Sequence, residues 1–360
     1  MHKQGEMKKI HGIRMDMKGK VKRYNMVEID GNYLEGGGQI VRTAIALSCI
    51  TKQSVRIYNI RAGREKPGLR PQHLAGIEAA LRISGGRTEE LHVGSMDITF
   101  IPGEIRGGNY IIDTKTAGAI TLILQTLVPI GIYADSPSLY EIKGGTAVPF
   151  SPSIEYFRHI FGYFLRLMGI TISVDVRRHG FYPRGGGICR VKVSPAKLKP
   201  IKLTERGNLI EVNIISISSS ILAPSKVGER MIEGARDIFP EATTAFCYVN
   251  SQDAGCFVHT NAKFTNSIIG ADGLGRKGKR AEVVGIESGK ALKKAIERGA
   301  PLDRWMTDQI IPYLALAAYE TGKKVKIKIP ELTRHAQANI WVVKEFLPVD
   351  FKVEEDILEC

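Results

Sequence analysis

Apolar positions along this chain follow two periods, a helical one and a strand-like one, and the switches between them divide it into elements. Three segments repeat one grammar of helix, strand, second helix and further strand. In the first, Gln39–Cys49 reads as a helix, Val55–Ile60 as a strand, Pro71–Ile83 as a helix and Leu91–Ile101 as strand material. In the second, the order is Ala117–Leu127 helical, Leu139–Lys143 extended, Ser153–Met168 helical and Ile170–Val176 extended. A turn through Gly185–Gly187 then returns along Ile188–Val193. The third runs Asp308–Tyr319 helical, Lys324–Ile329 extended, Ala338–Phe346 helical and Phe351–Glu354 extended. Ile154, Phe157, Ile160, Phe161 and Phe164 share one helical face, which reads as core. Each unit would bury a helix layer against a sheet, and three together would form one α/β domain.

The third unit is interrupted. Leu209–Ser216 reads as a strand and Pro224–Ile238 as a helix. Thr243–Asn250, Cys256–Lys263 and Ser267–Ala271 read as strands, Ala281–Val284 as extended and Gly289–Arg298 as a helix. That is a complete α/β module placed in a loop, with Glu205-Arg206-Gly207 and Arg298-Gly299 as hinges. The expected organisation is a basic extension over 1–25, a large domain over 26–204 and 300–360, and an inserted small domain over 205–299.

Composition narrows the class. The 360 residues are 43% hydrophobic and 24% charged, as ordinary globular chains are. The net charge is +14, of which +6 falls within residues 1–23. A basic surface suits a phosphate-rich partner and equally a plain basic soluble protein. Cys49, Cys189, Cys247, Cys256 and Cys360 make no C-x-x-C pair, so a zinc site is not expected and reduced thiols in a cytoplasmic protein fit. No apolar run is long enough to span a membrane, and no apolar core of a secretory signal precedes the first strand.

The motifs divide into weak and strong. Gly273-Leu274-Gly275-Arg276-Lys277-Gly278 matches G-x-G-x-x-G, but the expected extended Ala281–Val284 would follow where a dinucleotide site needs a helix. No Walker A sequence is present. In Glu35-Gly36-Gly37-Gly38-Gln39-Ile40-Val41-Arg42, three glycines before a helix would let a phosphate approach backbone N–H groups. Glu35, Gln39 and Arg42 would converge at i, i+4 and i+7. A glycine turn with a surface charge pair is the plainer reading. The loop Arg61-Ala62-Gly63-Arg64-Glu65-Lys66-Pro67-Gly68-Leu69-Arg70-Pro71-Gln72-His73 places arginines at a strand end, suited to bidentate phosphate binding or to simple solvation. His179-Gly180-Phe181-Tyr182-Pro183-Arg184-Gly185-Gly186-Gly187 reads as a constrained turn whose glycines serve the backbone. His335, beside Arg334 at a loop-to-helix junction, is placed either as a surface histidine or as one that meets phosphate.

Taken in order, 35–42, 61–73, the stretch from Gly118 to Pro129 with Gln125, 179–187, Asp308-Gln309 and the region of His335 resemble the RNA 3′-terminal phosphate cyclase family, over roughly residues 27 to 355. The resemblance implies three βαβαββ-like units with a thioredoxin-like module inserted in the third. It implies an ATP-dependent ligase that turns an RNA 3′-phosphate into a 2′,3′-cyclic phosphate through a histidine–AMP adduct and an RNA(3′)pp(5′)A end. It also implies a divalent ion, Mg or Mn. By position, His335 matches the nucleophile and Glu35 the residue at the metal and triphosphate. Gln39, Arg42, Arg61, Arg64, Gln72 and Gln125 match the phosphate pocket. Asp308 and Gln309 match residues beside the nucleotide, Asp308 toward either ribose or metal, while Trp305 and Pro152 match the two faces of the adenine slot. Gln125 and His335 also belong to the implied ATP site. One departure is Ala338, where the family commonly carries Thr.

Related ribosome-biogenesis proteins share the fold, lack the histidine and are non-catalytic. They define the alternative reading, a cyclase-like protein of ribosomal RNA processing. An enolpyruvyl transferase on a similar repeated architecture is a remoter one. Every residue given a role lies outside 205–299, so the inserted module is expected to be dispensable for chemistry.

Overall fold

Four sheets of four strands carry the fold, and three of them share one strand order. The computed structural model describes residues 26–360 together with the backbone of a strand pair, β1 (Gly12–Met15) and β2 (Val21–Tyr24). The rest of the basic 1–25 stretch lies outside the described residues.

The first unit comprises β3 (Val27–Asp30), α1 (Gly38–Thr51), β4 (Val55–Tyr58), α2 (Pro71–Ser84), β5 (Arg87–Glu89) and β6 (Ile98–Ile101), with sheet order β3-β4-β6-β5. β3 runs parallel to β4, and β6 is antiparallel to both β4 and β5. The second comprises β7 (Gly108–Asp113), α3 (Ile120–Gly131), β8 (Ser138–Gly144), a helix, β9 (Ile172–Arg178) and β10 (Gly187–Val193), ordered β7-β8-β10-β9. That helix is α4 (Ile154–Tyr156), a π turn (Phe157–Phe161) and α5 (Gly162–Leu167) in one run. The third comprises β11 (Lys202–Leu203), α8 (Arg304–Thr321), β16 (Lys326–Lys328), α9 (Arg334–Phe346), β17 (Lys352–Glu354) and β18 (Ile357–Glu359), ordered β11-β16-β18-β17. The pairing directions are the same each time.

The second and third units therefore open on strands that the periodicity did not give. β7 gives no clean apolar alternation because it is an edge strand with one buried position, and it carries an exposed Ile111 beside the buried Ile112. Helices α1, α2, α3 and α9 pack on one another, and the apolar face of Ile154, Phe157, Ile160, Phe161 and Phe164 is fully buried in the same core.

Between β11 and α8 stand β12 (Leu209–Ser219), a 3₁₀ turn (Ser220–Ser225), α6 (Val227–Arg236), β13 (Thr243–Val249), β14 (Cys256–Phe264), β15 (Ile268–Leu274) and α7 (Ala281–Glu297). They form the fourth sheet, β13-β12-β14-β15, with two apolar clusters of their own. Ala281–Val284, expected to be extended, is the first turn of α7. The paired valines gave a strand-like local signal, which the packing of α7 on α6 and β15 overrides. A Cβ at Gly234 or Gly285 would overlap the facing helix backbone, so these glycines set the α6–α7 approach. Among the described residues no helix is long and apolar enough to cross a membrane.

Candidate active site

A cleft of about 1520 Å³ runs between the first and third units, with the second unit along one side. Its first wall is the α1 N-terminus. Gly36 adopts φ +54°, which turns the chain into the helix at N-cap Gly37. A Cβ on Gly38 would overlap the His73 ring, so the glycine lets that ring pack under the helix start. His73 is buried, and its Nδ1 accepts the Arg70 N–H at 3.1 Å. Burial first, then the charges of Arg42, Arg61 and Arg70, lowers its pKa to about 3. It is a neutral spacer within the wall.

His335 stands opposite, in the first turn of α9. Thr333 caps that helix by accepting the Ala336 N–H at 3.0 Å, and its hydroxyl donates to Asp308. The Gln39 amide donates to the His335 carbonyl at 3.4 Å. A Cβ built on Gly37 would sit 3.5 Å from His335 Cε1, so the imidazole faces the glycine loop directly. Glu35 Oε2 lies 3.3 Å from His335 Nε2 and 3.9 Å from an Arg64 nitrogen. Glu35 reaches this point from the loop and not from the helix, so only Gln39 and Arg42 share a helical face. Burial lowers the His335 pKa below the usual histidine value. Glu35 opposes the shift, and Arg42, Arg64 and Arg304 add to it.

The arginine loop follows β4. Arg61 holds φ +55° and donates to the Lys66 carbonyl at 3.1 Å, while its buried Nε has no protein partner. A buried guanidinium donor without an acceptor is costly unless an anion completes it. Burial, then the charges of Arg64 and Arg70, lowers the Arg61 pKa. Deeper in, Arg42 Nε donates to Gln125 Oε1 at 3.0 Å. Gln125 donates to Gln309 at 2.8 Å, and Gln309 donates to the Trp305 carbonyl at 3.0 Å. This relay ties α1, α3 and α8 together across the cleft floor. Burial lowers the Arg42 pKa to about 10, which leaves the guanidinium charged at neutral pH. Gln72 accepts the N–H of Ala119, the residue that caps α3, at 3.1 Å.

At the far end, Trp305, Asp308 and Gln309 lie at i, i+3 and i+4 of α8, which begins at Arg304, earlier than the periodicity gave. Asp303 caps this helix, accepting the N–H groups of Trp305 and Met306 at 3.0 and 2.9 Å. Pro152 faces the same end of the cleft, its carbonyl accepting the Thr121 hydroxyl at 2.9 Å. Burial raises Asp308 to about 7, with the Thr333 hydrogen bond opposing the shift. Asn339 donates to the Asp308 carbonyl at 2.6 Å and accepts from Thr43 at 2.7 Å. Ala338 is buried on the core side of α9, and the hydroxyls that serve this corner come from Thr333 and Thr43. At the rim, Phe150 is fully exposed with φ +64°.

The arrangement suits attack by a neutral imidazole on a phosphoryl group gripped by arginines and backbone amides. Residues 33–353 match the family model described as RNA 3′-terminal phosphate cyclase. A protein of that name from Caldivirga maquilingensis is 44% identical over 335 residues, covering 89% of this chain and 93% of the relative. Another from Thermococcus kodakarensis is 40% identical over 337 residues, covering 92% and 95%. The chain belongs to the RNA 3′-terminal phosphate cyclase family. Among solved structures, the enolpyruvyl transferase NikO from Streptomyces tendae aligns with 48% of this chain and 33% of its own, at 18% identity and a TM-score of 0.28, too slight a likeness to bear on fold or function.

This cyclase-family chain gathers into one cleft all twelve residues to which the sequence assigned a site role. Glu35, Gln39, Arg42, Arg61, Arg64, Gln72 and His335 line the half around the α1 glycines; Gln125 and Gln309 join it to the half with Pro152, Trp305 and Asp308. Four supporting groups escaped sequence reasoning. Thr333 was legible in principle, as a threonine just ahead of a helical run. His73 and Asn339 act through buried contacts without a local signature. The fourth is Asp272 of β15, which brings the 209–297 unit into the cleft wall, where no group was expected from it. Gly273 and Gly275 serve packing, since a Cβ at Gly273 would crowd Val284 and Ser288 of α7 and one at Gly275 would overlap Cys256, while a Cβ at Gly278 would meet no neighbour and that glycine holds φ +82° in a turn. In the 179–187 turn, a Cβ on Gly180 or Gly187 would press on neighbouring backbone, which is the constrained-turn role.

Proposed function

We propose that this chain cyclises the 3′-phosphate of RNA with ATP as co-substrate, using His335 as the group that carries AMP. The observation behind the reading is His335 facing the α1 glycines, with Glu35 and Arg64 beside it and the unpartnered Arg61 Nε on the same wall.

In the first step the His335 imidazole lone pair attacks the α-phosphorus of ATP. A phosphorus–nitrogen bond forms, the bond to the bridging β-oxygen breaks, and diphosphate leaves. The attack needs the neutral imidazole, whose unprotonated ring nitrogen carries the lone pair. Burial and the surrounding arginines favour the neutral form. In the second step an oxygen of the RNA 3′-phosphate attacks the same phosphorus and the P–N bond breaks, giving RNA(3′)pp(5′)A and restoring the imidazole. In the third step the vicinal 2′-OH attacks the 3′-phosphorus. Its proton passes to solvent, the 2′,3′-cyclic diester closes and AMP leaves. Holding the hydroxyl in line supplies an effective molarity of roughly 10⁵ M or more. Arg61, Arg64 and Arg42 offset charge on the phosphates, and Gln39 and Gln72 steady the two helix starts that meet there. Trp305 and Pro152 take the two faces of adenine, with Asp308 and Gln309 beside the ribose.

Glu35 is a hard oxygen donor in the cleft and would help to hold a Mg or Mn ion there. Among the described residues no group of three or more His, Cys, Asp or Glu side chains gathers to hold a metal ion. When bound, such an ion supplies charge neutralisation at the phosphoryl oxygens.

The test is incubation with α-labelled ATP, followed by end-group analysis of a 3′-phosphorylated RNA oligomer. A protein-bound AMP and a cyclic end are expected. A 2′-deoxy-terminated 3′-phosphate should stop at the AMP-capped end. Cyclic product without AMP transfer to protein or RNA would overturn the mechanism.

A further inference from the structure

We propose that β15 of the 209–297 unit builds the base end of the nucleotide cleft, with Asp272 as the positioning residue that sets the gap between Pro152 and Trp305. The proposal rests on the reading of that gap as the adenine slot.

Both carboxylate oxygens of Asp272 are committed. Oδ2 accepts the Ser153 N–H at 2.7 Å; Oδ1 accepts the Ser153 hydroxyl at 2.9 Å and lies 2.8 Å from Nδ1 of the fully buried His259. Ser153 Oγ in turn accepts the Tyr156 N–H at 3.1 Å, so the residue held by Asp272 is the cap of α4. Pro152, immediately before it, is fixed on its other side by Thr121. One wall of the slot therefore hangs on Asp272.

The other wall hangs on the same strand. Gly270, two residues earlier, donates its N–H to Asp303 Oδ2 at 3.1 Å. The Oδ1 of Asp303 caps the helix that carries Trp305 and also accepts the Tyr156 hydroxyl at 2.6 Å. Gly270 can come this close because it lacks a side chain: a Cβ there would stand 2.8 Å from Ile160 and 3.0 Å from His259. Thus one strand of the 209–297 unit grips the cap of each helix that flanks the slot, and Tyr156 cross-links the two caps.

The chemistry of the slot makes this spacing matter. Pro152 and Trp305 offer an apolar ring and an indole, so a base is recognised by contact of flat faces. A gap of even ~0.5–1 Å forfeits a quarter to a half of such contact energy. The phosphate end tolerates looseness better because charge acts over a longer range.

The experiment is ATP-dependent AMP labelling of the full chain, comparing Asp272→Ala with Asp253→Ala. Asp253 ties the same unit to the other through Arg184, with an ion pair at 2.8 Å and the Arg184 N–H at 2.9 Å, away from the slot. Asp272→Ala should raise the KM for ATP about tenfold or more while kcat at saturating ATP changes less than about threefold. Preference for ATP over CTP should fall by about tenfold, because a loosened slot no longer rejects the smaller base. Asp272→Asn, which keeps an acceptor for the Ser153 N–H, should recover part of both effects. Asp253→Ala should leave KM and base preference unchanged. Thermal melts confirm folding; where Asp272→Ala is unfolded, Asp272→Asn and Ser153→Ala carry the same comparison, each with smaller shifts of the same sign. Unchanged KM and preference in the Asp272 variants, or the same changes in Asp253→Ala, overturns the proposal. No label on the unmodified chain would instead sink the nucleotide reading on which it rests.

Discussion

The two ends of the cleft are built on opposite plans. At the phosphate end, Glu35, Arg64 and His335 stand on loops and a helix start, partly exposed, and touch one another through long ion pairs of 3.9 and 3.3 Å. Arg61 keeps a donor without a partner. At the base end, Asp303 and Asp272 make hydrogen bonds of 2.6–3.1 Å from buried or half-buried positions and fix the two helix caps beside Pro152 and Trp305. A polyanion brings its own ordering force, so its site can stay under-satisfied until it arrives. A neutral base brings none, so its walls must be set beforehand.

Substitutions should separate the two plans. The largest effect is expected from His335→Ala, which should lose AMP labelling by about 10³-fold or more with the fold intact, because no other group takes the covalent bond. His92→Ala, exposed and outside the cleft, should label normally. Retained labelling in His335→Ala would remove the nucleophile assignment.

Arg61→Ala and Arg64→Ala come next. Each should lower kcat by about 10²-fold, with lysine restoring only part because the bidentate fork is lost. A pure KM effect in both would mean that the loop binds without acting on the transition state. Gln309→Ala, at the joint between the ends, removes two hydrogen bonds of the relay and should cost about two- to tenfold. No change would show the relay to be idle.

Acidity sharpens the contrast further. His335 has a lowered pKa, so it stays neutral below the usual histidine range, and the acid limb of AMP labelling should lie below about pH 6.5. Glu35 opposes that shift, so Glu35→Gln should move the limb to still lower pH even as it reduces the rate. A limb that moves upward would contradict the Glu35–His335 contact. The smallest effect concerns stability. Asp308 has its folded pKa raised to about 7, so its contribution is present at acid pH and is lost as pH rises through that value. Asp308→Asn should therefore raise Tm at pH 8 by on the order of 2 °C or more, with the gain vanishing toward pH 4. An equal gain at both pH values would mean that the carboxyl is already ionised throughout.

The α/β class and the helices that carry the site were legible because their apolar faces repeat at helical spacing. The expected helices over Gln39–Cys49 and Pro71–Ile83 differ from α1 and α2 only at their ends. Strands β7 and β18 were not, since β7 is an edge strand with most positions exposed or half-exposed, and β18 follows β17 after a turn too short to register. Motif residues such as Arg61 and His335 stood out through local glycines and charges. Asp272 could not, because it is one acidic residue in a strand whose meaning comes from Ser153, distant in sequence. The 281–284 segment misled for the converse reason: its valines favour a strand locally, while α7 is fixed by what it packs on.

Among the backbone amides that cross between the 209–297 unit and the rest of the chain, three end on a carboxylate: Gly270 on Asp303, Ser153 on Asp272, and Arg184 on Asp253. A hydrogen bond to a charged group is worth about 1.5–3 kcal/mol, so parting the two bodies would break all three together at a cost comparable to much of a domain's stability. In hydrogen–deuterium exchange these three amides would then report a single event. They would exchange at one common rate, and much later than the amides of the glycine loop around Gly36.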